Sequence, residues 1–276
     1  MNYTQKGKRH LKNRTILVLL YTLALSLVIG FSFLPSGLRI YGKTLALFIP
    51  LAIGVGVFVK KNGTKPVMYE GEGEKALPYL FFAPVLLLII LISLLTTFAF
   101  SLVGLTSSSV TKLPFGEALV MYALLPAVLE EAFYRVLPAL ALNEEEAGSV
   151  CIFSTLIFAF AHLSVFSLPY ALFGGLAFFA LNRITKSPLP SVILHLLNNL
   201  ISLLFLYSAH YELTFAITLG LLLILSVVSL FLMAKHYRES VRALLEELRG
   251  SRKYFRFTPD LVAYLVLTAI LTIVFI

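Results

Sequence analysis

Apolar runs of membrane-crossing length dominate this chain, at about residues 15–34, 77–103, 189–208, 213–234 and 259–276. A hydrocarbon core about 30 Å thick is crossed by about twenty helical residues. Inside it each backbone amide must find its partner within the protein. The pattern predicts an all-α, polytopic integral membrane helix bundle. Composition agrees, with 59% hydrophobic residues among 276 and a mean hydropathy of +0.93, which excludes an ordinary soluble domain. Shorter or proline-interrupted runs at about 44–59, 116–142, 147–163 and 169–182 bring the expectation to eight or nine spans. The run at 44–59 is barely long enough to cross. No internal repeat or separate soluble domain is visible, so residues 1–276 are expected to form a single membrane domain. Basic residues precede the first apolar run, as in a signal peptide, but the run is long enough to span. Leu34-Pro35-Ser36-Gly37 offers no small-residue cleavage site, so a retained first helix is expected.

The formal charge of +8 does not point to nucleic acid, because Lys and Arg gather in loops and form no interleaved aromatic-basic face. Their distribution instead gives an orientation. With nine alternating spans and a cytoplasmic N-terminus, 18 of the 22 Lys and Arg fall on the inner side, in 1–14, 60–75, 183–188 and 235–257. Only Arg39, Lys43 and Lys112 fall outside, and Arg135 lies within the fourth helix. Within 236–257, Val241, Leu244, Leu245 and Leu248 recur at helical spacing among six Lys and Arg. That pattern predicts an amphipathic surface helix on an anionic inner leaflet. The Ser/Thr-rich stretch 106–114 reads as a linker and Glu144, Glu145 and Glu146 as a solvated turn. The single cysteine, Cys151, excludes an intramolecular disulfide and any multi-cysteine metal site, and reads as a small buried apolar side chain.

Ionisable groups at membrane depth are costly, and they mark a functional site by default. Glu130, Glu131 and Arg135 sit between Pro126 and Pro138 in an otherwise apolar run. Glu131 and Arg135 are i and i+4 in the favourable order for an ion pair, whereas Glu130 points about 100° away around the helix. Glu130 is thereby left free for chemistry; the alternative is a cluster that only ties helices together. Either proline is expected to kink the helix and free a carbonyl nearby. Of five histidines, His10, His236 and His210 lie in flanks and loops, and only His162 and His195 fall inside apolar spans. Asn199 follows His195 at i+4 on the same face, with Asn198 as its competitor. A lone membrane histidine commonly serves as an interhelical hydrogen-bond partner. Two of them with a free carboxylate on a third helix suggest a shared site. Counted from the inner helix ends, Glu130, His162 and His195 lie at ~18, ~22 and ~10 Å, close enough to meet in one intramembrane cavity, expected to open to the cytoplasm.

Glu130-Glu131-x-x-x-Arg135, Phe158-x-x-x-His162 and His195-x-x-x-Asn199, in that order on three candidate helices, resemble the motifs of the CAAX-protease and bacteriocin-processing (CPBP, or Abi) intramembrane endopeptidases. That family includes the CAAX prenyl endoprotease, and the resemblance covers a core of about residues 115–205. It implies hydrolysis of a peptide bond in a membrane-associated, prenylated CAAX-type protein or a small peptide. Glu130 would activate a water, His162 would share it or shuttle its proton, and His195 and Asn199 would hold the oxyanion. Glu131 with Arg135 would brace the helix, and Phe158 would pack before His162. A metal-free mechanism is favoured over zinc held by Glu130, His162 and His195, for which no H-E-x-x-H motif is present. Asp260 is the only aspartate, so a two-aspartate site is excluded, and no Gly-x-Ser-x-Gly elbow occurs. Gly174-Gly175 reads as a close helix contact. The rival expectation is a non-enzymatic transporter or scaffold that uses the same groups as a proton relay.

Overall fold

The apolar runs are helices throughout. The computed structural model describes residues 3–63, 66, 69–105, 113–142, 147–251 and 255–274, and no strand occurs among them. The helices are α1 (Tyr3–Ser32), α2 (Ser36–Asn62), α3 (Leu77–Ser101), a composite α4 (residues 115–141), α5 (Ala147–Ala161), α6 (Leu168–Thr185), α7 (Leu189–Tyr207), α8 (Tyr211–His236), α9 (Arg238–Ser251) and α10 (Pro259–Val274). Five carry segments long and apolar enough to cross a bilayer: Leu11–Ser32, Tyr41–Asn62, Leu77–Ser101, Leu189–Tyr207 and Tyr211–His236. The second is longer than the expected 44–59, because helix continues through Pro50 and back to Ser36. The expected turn at 144–146, most of the 106–114 linker, and the side chains of His10 and Leu248 lie outside the described residues.

Apolar side chains cover much of the outside. On α8, Leu213, Ile217, Leu221, Ile224, Val228 and Phe231 are all exposed. In water such a face would be an aggregation site; in lipid it is at home. The chain is an integral membrane protein. One end of the bundle is tied by polar groups. Asn13 donates to the Ala141 carbonyl (2.7 Å) and accepts from Lys61 (2.6 Å), while Asn62 donates to Leu140 (2.7 Å). These bonds satisfy carbonyls left over at the C-terminal end of α4. At the same end Arg14 donates to Ser149 (2.7 Å). The amphipathic helix α9 packs on α5, with Leu244 buried and Leu245 exposed.

The composite α4 is central, touching α1, α2, α5 and α7. It alternates α and π turns: Phe115–Ala118 is α, Leu119–Leu124 π, Leu125–Glu131 α, Ala132–Val136 π and Leu137–Ala141 α. Each π turn ends just before a proline. Leu125 N–H reaches back to Val120 and Leu137 N–H to Ala132, five residues each, ahead of Pro126 and Pro138. A proline supplies no N–H and clashes with the carbonyl four residues back, and widening the turn relieves that clash. The expected freed carbonyls are present. Tyr134, four before Pro138, accepts from the Ser154 hydroxyl of α5, and Phe133 accepts from Tyr21 of α1 (3.1 Å). Close packing extends to α6. A β-carbon on Gly175 would meet Thr155 of α5 at 2.9 Å, whereas one on Gly174 would make only ordinary contact with Ile89. Gly175 is therefore the close approach expected of the pair.

Ser154→Ala should destabilise the protein by about 1–3 kcal/mol, the cost of stranding a buried acceptor, read as a lowered Tm in detergent. The loss should shrink in a Pro138→Ala background, where an N–H returns to the same carbonyl.

Candidate active site

α4, α5 and α7 bring the expected residues together. Glu131 and Arg135 form the predicted pair at 3.5 Å, both with fully buried side chains. The guanidinium carbon also sits over Phe158, 3.8 Å from the ring centroid, with Phe178 of α6 at 5.5 Å. Phe158 is therefore more than general core. Its ring meets His162 edge-on at 4.7 Å and His195 at 6.2 Å, joining the ion pair to both histidines.

His195 is placed by Glu131. Its Nδ1 lies 3.0 Å from Glu131 Oε1, and its Nε2 lies 3.8 Å from Glu130 Oε2. A carboxylate can only accept, so Nδ1 carries the proton of that bond and Nε2 is turned toward Glu130. Glu131 thus does more than brace a helix with Arg135, because it also orients His195. Glu130, with 21% of its side chain exposed, has no other ion-pair partner among the described residues. His162 is oriented in the same manner. Its Nδ1 is 2.8 Å from the Phe158 carbonyl, which fixes Nδ1 as donor and leaves Nε2 free to accept.

These groups border a cavity of about 420 Å³ between α3, α5, α6, α7 and α8. His162, His195, Asn198 and Asn199 line it; Glu130 does not, and its carboxylate approaches through His195. Both asparagines are in the wall. Asn198 donates to Asn199 Oδ1 (3.4 Å), and Asn199 Nδ2 makes only a long contact of 3.5 Å with the Ala123 carbonyl. No three His, Cys, Asp or Glu side chains among the described residues form a metal-ligand group. Glu130, His162 and His195 are not gathered into such a group, although the bond from His195 Nδ1 to Glu131 leaves its Nε2 open, as a metal-binding histidine would have it.

Residues 113–201 match the Rce1-like family of type II CAAX prenyl endopeptidases. The matched segment contains all three motifs and runs from the start of α4 into α7. Rce1-like proteins are a protease family, which supports an intramembrane protease with a membrane-associated protein substrate. No curated protein and no solved structure matches the chain.

Several neighbours had escaped the sequence reading. Ser191 is fully buried beside Glu131, one turn before His195, and its i−4 spacing was a signal available in the sequence. Phe178, whose ring lies 5.3 Å from that of His195, is one of 23 phenylalanines and carries no such mark. Tyr69 comes from a loop but is buried beside Asn182 and feels Glu131; burial pushes its hydroxyl well above the usual phenol range. That loop is held where Glu74 N–H meets the Ile184 carbonyl (3.0 Å).

Glu131→Ala should cost about 3–5 kcal/mol of stability by leaving Arg135 buried without its counter-charge. Pairing it with Arg135→Met should recover most of that loss in thermal unfolding, because an apolar replacement needs no partner.

Proposed function

We propose that the chain is an intramembrane endopeptidase in which Glu130, His162, His195 and Asn199 hydrolyse a peptide bond without a metal. The observation that carries this reading is His195, held by Glu131 on one nitrogen and facing Glu130 with the other at the wall of the cavity that His162 and Asn199 share. Glu130 accepts a proton as water attacks the carbonyl carbon. His162 Nε2 takes part in positioning that water or moving its proton. The oxyanion of the tetrahedral intermediate accepts a hydrogen bond from Asn199 Nδ2, whose contact with Ala123 is weak enough to give up. His195 can donate from Nε2 only when the ring holds a second proton, and Glu130 is the adjacent source. Collapse breaks the C–N bond as the proton that Glu130 took from water passes to the leaving amine, and the carboxylate product remains.

The substrate is a membrane-associated polypeptide, with a prenylated CAAX-type peptide as the first probe. The single membrane domain spans the bilayer with α1 to α8 and α10, nine crossings with the N-terminus in the cytoplasm. The catalytic core is residues 115–205, and α9 rests on the anionic inner leaflet of the cell membrane. The basic side chains around Arg14, Lys61 and Arg183 support this orientation.

Glu130→Ala, His162→Ala and His195→Ala should each lower cleavage of a quenched fluorescent prenylated peptide by about 10²–10⁴-fold, with Tm unchanged in Glu130→Ala, and a tight zinc chelator should leave the wild type active. Loss with chelator and rescue by zinc would overturn the metal-free mechanism. A relay without proteolysis would show no cleavage in any variant and a function that survives His195→Gln.

A further inference from the structure

A buried carboxylate needs donors at both oxygens, and Glu131 has them at one. Its Oε1 takes the His195 proton and faces Arg135. Its Oε2 is buried too, and among the described residues no donor meets it in hydrogen-bond geometry. Ser191 is nearby, but its one hydroxyl proton goes to the Pro188 carbonyl (2.9 Å). Two other polar groups are buried with their bonds unspent, the Tyr69 hydroxyl and the amide of Asn182 on α6. They sit beside each other, short of full hydrogen-bond geometry, and the Tyr69 hydroxyl feels the charge of Glu131. The segment that carries Tyr69 is pinned to α6 and α9. Besides the bond from Glu74 N–H to Ile184, the Ser240 hydroxyl of α9 donates to the Glu74 carboxylate (3.4 Å). At Gly73 a β-carbon would stand 2.1 Å from the Thr185 carbonyl oxygen, so only glycine allows this approach.

We infer that Tyr69 is a positioning residue: through one buried water shared with Asn182, its hydroxyl holds Oε2 of Glu131 and so fixes the carboxylate that orients His195. The inference rests on the protease reading proposed above and adds to it a residue outside the matched segment 113–201. The water accepts from the Tyr69 hydroxyl and donates to Glu131 Oε2 and Asn182 Oδ1. Three such bonds are the usual complement of a buried water. Polar atoms from α4, α6 and the segment before α3 are satisfied together in this way. The terminal torsion of a glutamate is soft. A carboxylate held only at Oε1 turns about that bond and loses its aim at Nδ1 of His195, whereas one held at both oxygens keeps it.

Tyr69→Phe keeps the ring and removes the hydroxyl. In the full chain in detergent it should lower kcat on the prenylated peptide about 10-fold, the worth of one hydrogen bond to a charged group, with KM unchanged. Gly73→Ala must push the segment off the Thr185 carbonyl and should lower kcat as well, although it touches neither Glu131 nor His195. An unchanged kcat in either variant overturns the inference. Thermal unfolding supplies a second test by a double-mutant cycle. Tyr69→Phe should lower Tm in the wild type and leave it unchanged in Glu131→Ala/Arg135→Met, where no buried carboxylate remains to be held. Equal losses in the two backgrounds overturn the inference and leave Tyr69 a packing residue. Unfolding needs no catalysis, so the cycle decides the role of Tyr69 even where the wild type cleaves nothing, an outcome that would sink the protease reading by itself.

Discussion

A pair of opposite charges sealed away from solvent, Glu131 with Arg135, is the interaction the centre of this bundle depends on. Either charge alone at this depth would be strongly destabilising, so the helices that present them and cover them must stay together. The pair is not a simple fork. The π turn begins directly after Glu131, changing the angle between the two side chains from that of an α-helix, and the nitrogen–oxygen distance is 3.5 Å. The guanidinium instead sits over Phe158, whose ring face attracts a cation most strongly when water is excluded. The carboxylate keeps an oxygen for His195. One buried pair therefore fixes the rotation of α4, the depth of α5 through Phe158 and the ring angle of His195 on α7.

The two π turns follow from placing prolines inside a central membrane helix. In water a broken helical bond is repaired by solvent. Inside this bundle the repair comes from side chains, and it links neighbours: Tyr21 brings α1 to Phe133, and Ser154 brings α5 to Tyr134. The irregular backbone is thus covered by protein, as membrane depth requires. The same irregularity places Glu130 and Glu131 on the short α segment between the two wide turns, where their directions are held from both sides.

Much of this was legible in the sequence because membrane helices announce themselves by length and charge. The i, i+4 spacings of Glu131 with Arg135 and of His195 with Asn199 follow from helix geometry alone, and both pairs take the positions expected of them. The prolines at 126 and 138 signalled irregular backbone, although not its π form. That form depends on which neighbouring hydroxyl can reach the freed carbonyl, a fact of packing between α4, α5 and α1. The second contact of Glu131 was hidden for a similar reason. Spacing within one helix reveals Arg135, while the bond to His195 depends on how α4 lies against α7. Phe178 and Tyr69 carry no pattern, since an aromatic ring in an apolar helix or a loop is read in the same way whatever it touches.

The brevity of α5 has a consequence for the lipid around it. With 15 residues, that helix extends only about 22 Å, and its neighbour α10 has 16. On the proposed nine-span reading, these described lengths fall short of a typical hydrocarbon thickness of about 30 Å, which the bilayer would meet by thinning or the helices by drawing polar flanks inward. Hydrolysis consumes water, and a thinned patch next to His162 shortens the distance water must travel through hydrocarbon. On the proposed reading, acyl-chain length becomes a property of the surroundings that bears on the site, with longer chains in the membrane opposing its hydration.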